Sequence, residues 1–138
     1  MIVVPRHRYL WIFVFALLFS ACSKDRKAGF LLQGSEWNVY SLTIADQETI
    51  GLGFTKVTLM FDFYDVKENK GNFHAFFSTP SENTSFSSKY TVEQDGTLLR
   101  LIYSNGSEEE YELQVENTEL KMEIDIPAGH VIYRASRQ

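Results

Sequence analysis

The sequence predicts an all-β protein, an eight-stranded antiparallel up-and-down barrel, with a two-sheet sandwich as the alternative arrangement. Three observations lead there. Successive stretches between residues 37 and 135 are rich in β-branched and aromatic residues, and most alternate apolar with polar side chains. That period of two marks a strand with one face on a core and one in water. The breaks between stretches carry turn chemistry at Asn69-Lys70-Gly71-Asn72, Asp95-Gly96, Asn105-Gly106-Ser107 and Pro127-Ala128-Gly129, and Asp-Gly or Asn-Gly between alternating runs is a strong hairpin signal. Beyond the apolar run near the start, no window sustains a helical apolar stripe.

Taken in order, the first strand is Trp37–Ile44, entered through Gly34-Ser35. The segment from Ile44 to Ile50 reads equally as a short helix or a loop. Val57–Asp65 follows, with Val57, Leu59, Phe61 and Phe63 on one face. Phe73–Phe77 groups Phe73, Ala75 and Phe77, and Phe86–Glu93 groups Phe86, Ser88, Tyr90 and Val92. In Leu98–Tyr103, Leu99, Leu101 and Tyr103 lie opposite Arg100. Tyr111, Leu113 and Val115 alternate with Glu110, Glu112, Gln114 and Glu116; Leu120, Met122, Ile124 and Ile126 alternate with Glu119, Lys121, Glu123 and Asp125. Val131–Ala135 is the last strand. A row of eight strands would leave two open edges, and curling it into a barrel removes both. The short connections favour up-and-down order over the long returns of a Greek key. The outward positions from 110 to 125 are polar, which argues against an outer-membrane barrel with its apolar outer band.

Residues 1–21 read as a signal segment. Arg6, His7 and Arg8 form a basic start, Tyr9 to Phe19 carries no charge, and Ser20-Ala21-Cys22 closes the run with small residues. The run is shorter than the roughly 20 apolar residues a membrane-spanning helix needs. Leu18-Phe19-Ser20-Ala21-Cys22 resembles the lipobox of bacterial lipoproteins, with Phe19 where Leu is usual. The resemblance implies cleavage before Cys22 and a diacylglycerol on its sulfur, hence a lipid bilayer as first partner. Residues 22–29 then read as a polar lipidated tether, and residues 30–138 as the barrel domain. Cys22 is the only cysteine, so no intrachain disulfide staples the fold.

Without residues 1–21 the chain keeps 11 Lys and Arg against 18 Asp and Glu, a net charge of −7. That balance argues against nucleic acid as a partner, because such binding rests on basic residues neutralising phosphates. Catalytic and metal-ligating patterns are absent from the sequence, and no cofactor is implied. His74 and His130 have no Cys or His at ligand spacing, and Asp62 and Asp65 read as a solvated face. Glu108-Glu109-Glu110 lacks a shaped oxygen loop and reads as a solvated hairpin end. A Ser-His-Asp site would have to assemble from separate elements. Non-enzymatic function is the expectation.

The ordered set Leu31-Leu32-Gln33-Gly34-Ser35-Glu36-Trp37, Thr58-Leu59-Met60-Phe61, Tyr90 and Val92 before Asp95-Gly96, and Thr118-Glu119-Leu120-Lys121-Met122 resembles the small lipocalin-like domains of Bacteroidetes lipoproteins, over roughly residues 30–135. Gly34 and Trp37 stand three apart where two is commoner. The resemblance implies a barrel closed at one end, with Gly34 and Trp37 as structural residues and Trp37 plugging the base. It also implies an outer-membrane anchor; the lack of an acidic cluster after Cys22 favours the periplasmic side, with the cell surface as the alternative. Fifteen Phe, Tyr and Trp residues remain after residue 21, enough either to fill a small core or to line a cavity.

Two functions follow. One is binding of a small apolar or amphipathic ligand, with a mouth between loops 45–54 and 78–85 lined by Phe54, Phe77 and Phe86, and with Tyr64 included although it lies nearer the other end. The other is a filled-core interaction module meeting an envelope protein at Phe76, the residue that breaks alternation beside Phe77. An interior void of about 300 Å³ or more with convergent polar groups favours the first.

Overall fold

The computed structural model describes residues 24–34, 36–68 and 70–137; the signal segment, Cys22 and Ser23 lie outside them. Residues 24–32 are helical (α1). Nine strands follow: β1 Glu36–Ile44, β2 Gln47–Glu48, β3 Lys56–Phe61, β4 Gly71–Ser78, β5 Asn83–Glu93, β6 Leu98–Ile102, β7 Glu108–Val115, β8 Glu119–Ile126 and β9 Gly129–Arg137. All neighbours are antiparallel and sequential, apart from the two-residue β2 on the end of β1. Pairing of β1 with β9, from Trp37 opposite Arg137 to Ile44 opposite Val131, closes eight of them into the barrel. The sandwich alternative is thereby excluded.

The interior is the set the alternation marks, with two departures. In β1, Val39 pairs with Ala135 while Ser41 pairs with Arg134, so Tyr40 is an extra residue, a β-bulge. The bulge shifts the inward phase: Trp37 and Val39 point in before it, Leu42 after it. The second departure corrects the strand predicted to reach Asp65. β3 stops at Phe61, the backbone N–H of Tyr64 donates to Gln33 Oε1 at 2.9 Å, and Phe63 turns outward at 75 % exposure. Ile44–Ile50 forms a hairpin turn rather than a helix, with Ala45 and Asp46 at φ 50° and 64°, as a primed turn requires.

The lower end of the barrel is closed, and α1 closes it. Residues 24–29 were expected to be an unstructured tether; instead Ala28 and Leu32 are buried, Asp25 Oδ1 accepts the Gly96 N–H at 2.6 Å, and Gly34 donates to the Phe61 carbonyl at 3.0 Å. A helix this short is marginal alone, so docking on the barrel stabilises it. Trp37 is fully buried beside it, its indole N–H donating to the Leu32 carbonyl at 3.0 Å and its ring 4.5 Å below the Arg137 guanidinium. Phe61, Tyr64 and Tyr90 complete this base, with Tyr90 donating to the Asp62 carbonyl at 3.1 Å. No helix among the described residues is long and apolar enough to cross a membrane.

Gly71 sits directly opposite Tyr90 in the β4–β5 ladder. A methyl group there would lie 2.7 Å from the Tyr90 Cζ and 2.8 Å from its hydroxyl, whereas one at Gly53 meets nothing nearer than 3.9 Å. Gly71→Ala is therefore expected to lose about 1–3 kcal/mol through overpacking, with Gly53→Ala near neutral. Thermal melts of both variants check this; equal melting temperatures would show that Tyr90 can move aside.

Candidate functional site

The opposite end of the barrel stays open. The β1–β3, β4–β5, β6–β7 and β8–β9 connections all emerge there. Below them lies an interior cavity of about 220 Å³. Its wall is mostly apolar, with Leu59, Phe73, Ala75, Phe77, Phe86, Leu101 and Met122. Tyr103, Glu109, Tyr111 and Tyr133 bring polar atoms to the same space. The volume falls short of the 300 Å³ or so expected of a site for a drug-sized ligand, but the polar groups converge.

They converge on Glu109. Tyr103 donates its hydroxyl to one carboxylate oxygen in a short hydrogen bond, and Tyr111 donates to the other at 3.2 Å. Burial pushes the Tyr103 phenol well above its ordinary range, and its bond to Glu109 adds to this. Burial raises Tyr111 as strongly, with Tyr133 and Glu109 beside it, and Tyr133 itself is pushed up to about 12, chiefly by burial. The phenols thus remain donors throughout the physiological range.

The residues predicted to form the mouth divide. Phe77 and Phe86 line the cavity, with rings 5.7 Å apart; Phe86 is 53 % exposed at the rim. Phe54 packs behind Phe77 at 5.3 Å and does not line the cavity. Tyr64 is not brought to this end at all. It lies buried in the base, stacked on Tyr90 at 6.1 Å, with Gly29 closely apposed to its ring. Phe76 faces outward at 44 % exposure, beside a surface groove lined also by Glu36, Lys56, Thr58, Met60 and Ser78.

Sequence reasoning missed Glu109, because the strand was begun at Tyr111 and the triple glutamate left to the hairpin end. β7 starts at Glu108. Running the same alternation two residues back from Tyr111 would have placed Glu109 inside.

A second cluster lies on the outer wall. His74 Nδ1 is 2.8 Å from Ser87 Oγ, and its Nε2 is 3.2 Å from Asp62 Oδ2. The Ser-His-Asp arrangement does assemble, from β4, β5 and the residue after β3. Ser87 nevertheless sits within a strand, without the sharp elbow that exposes a nucleophile and presents amide donors to an oxyanion. The cluster is a hydrogen-bonded cross-strand tie on an open surface. No group of side chains suited to a metal ion occurs among the described residues.

No family model and no curated protein matches the chain. Among solved structures, one described as a redesigned beta barrel is similar, with a TM-score of 0.57 and 16 % identity over 80 % of this chain and 94 % of that one. At that identity the likeness is one of fold: this chain is an eight-stranded antiparallel up-and-down β-barrel with one end closed by its own helix.

Proposed function

We propose that this chain is a non-enzymatic binding barrel, held on the cell envelope through an acylated Cys22, whose open end receives a small apolar or amphipathic molecule. The observation that carries the reading is the cavity, apolar over most of its wall and carrying one hydrogen-bonded carboxylate, Glu109. Sites that orient a ligand combine these features, an apolar body with a few placed polar groups. The anchor rests on the resemblance of residues 18–22 to a lipobox. α1, described from residue 24, docks on the closed base, so an acyl chain on Cys22 would hold the mouth away from the bilayer. An outer-membrane position is supported by the resemblance of residues 30–135 to lipoprotein domains, and its periplasmic side by the lack of an acidic cluster after Cys22.

Titrating the isotope-labelled chain with neutral amphipaths, short alcohols and a sterol among them, should shift resonances of Phe77, Phe86, Leu101 and Tyr133 and leave Trp37 and Tyr64 unmoved. Silence across that panel and across charged amphipaths of the same size would reject ligand binding. The second reading, a module that meets an envelope protein around Phe76, would then take its place; the small cavity volume and the exposed Phe76 favour it.

Anchoring is tested separately. Metabolic labelling with a lipid analogue should mark the wild-type chain and not Cys22→Ser, and only the wild type should enter the detergent phase. Equal labelling of the two would remove the anchor.

A further inference from the structure

The run Glu108-Glu109-Glu110 is divided by the pleat of β7. Glu108 and Glu110 point outward, where the Arg100 guanidinium pairs with them at 2.9 and 2.7 Å. Arg100 is also paired with Glu93 at 2.7 Å. Glu109 points inward, and among the described residues no ion pair includes it. It is the one charged side chain lining the cavity. The two phenols occupy one acceptor position on each carboxylate oxygen, and a carboxylate offers about four. Acceptor capacity and negative charge are both left over, facing a space walled by aromatic rings.

We propose that the cavity selects a small alkyl- or aralkylammonium ion, with the apolar body against Leu59, Phe73 and Met122 and the cationic head between Glu109 and the rings of Phe77, Tyr103 and Tyr133. A cation gains from a carboxylate and from aromatic faces together. An anionic head of the fatty-acid type would face Glu109 with no cation to offset the repulsion. A neutral hydroxyl would gain one hydrogen bond to the carboxylate but neither an ion pair nor attraction to the ring faces. The head belongs near the mouth, because Glu109 is the second residue of β7 and follows the open-end hairpin. This inference rests on the binding reading above and adds the chemistry of the ligand.

The test compares hexylammonium, hexanol and hexanoate, which share one tail, by titration of the full chain. The ammonium adds an ion pair and a cation–π attraction that hexanol lacks, so hexylammonium should bind about tenfold or more tighter than hexanol, a gap of about 1.4 kcal/mol, and hexanoate weakest of all. Glu109→Gln, which keeps the side chain's shape, should abolish the preference for the ammonium head while hexanol binding persists. Hexanoate binding as well as hexylammonium, or a preference unchanged in Glu109→Gln, would overturn the selection of cations and leave a binding barrel. Failure of all three probes to bind would overturn the binding barrel itself, and this inference with it. Should Glu109→Gln not fold, the ranking of the three heads on the wild-type chain decides alone.

Discussion

Trp37→Ala is expected to lower the free energy of unfolding by about 3–5 kcal/mol, the range for truncating a fully buried large aromatic. The indole is enclosed at the closed base, ties α1 to the barrel through the Leu32 carbonyl and covers the Arg137 guanidinium. Its loss opens a cavity, leaves that carbonyl without its partner and uncovers the half-buried Arg137 guanidinium, whose Nε and one terminal nitrogen already have no hydrogen-bond partner. Domains of this size have in all about 5–15 kcal/mol, so the variant should melt early in denaturant. The full chain must be used, because a start at residue 30 would cut away most of α1. A loss below about 1 kcal/mol would mean that the base is held by other contacts.

Alkaline pH should unfold the protein cooperatively. In the unfolded chain the phenols titrate near 10. In the barrel, burial pushes Tyr64 and Tyr133 up to about 12, and it raises Tyr90, Tyr103 and Tyr111 further. A folded-state pKa above the unfolded one contributes stability that is complete below pH 10 and is lost as the pH climbs through the folded value. At about 1.4 kcal/mol per unit, Tyr64 and Tyr133 alone account for roughly 2–3 kcal/mol each, a large part of the whole. Tyrosinate absorbance should therefore rise steeply and together with the loss of β-sheet circular dichroism, after a smaller early step from Tyr40 on the outer face. A gradual rise near pH 10 with the sheet intact would show that the interior phenols are open to water.

The strands were legible because each obeys a local rule: inward residues at every second position, turn residues at the breaks. The features the sequence hid depend on a partner far along the chain. Tyr40 bulges because β9 supplies one fewer residue than β1 between Ala135 and Arg134, and no pattern within residues 36–44 reports that. β3 ends at Phe61 because Gln33 captures the next turn, so Phe63 and Tyr64 exchange the environments that strict alternation gives them. α1 looked like a tether because its polar start hides a face, Ala28 and Leu32, that is stable only against the barrel. The mouth was placed from strand parity, which does locate Phe77 and Phe86. Glu109 was within reach of the same parity and was lost to a composition argument about three adjacent carboxylates.

Closure of the ring also sets a schedule. Trp37 and Arg137, neighbours in the β1–β9 seam, are a hundred residues apart along the chain, and structure dominated by such distant pairings forms slowly, over milliseconds to seconds. Strands β3 to β8 each meet a sequential neighbour as soon as it is made. The free edge of β1 is different: it stays unpaired until β9, Gly129–Arg137, arrives. Through that interval the nascent sheet has two sticky edges. Loss of β9 alone would make the interval permanent, turning a closed barrel into an open sheet whose two edges are free to pair with copies of the same chain.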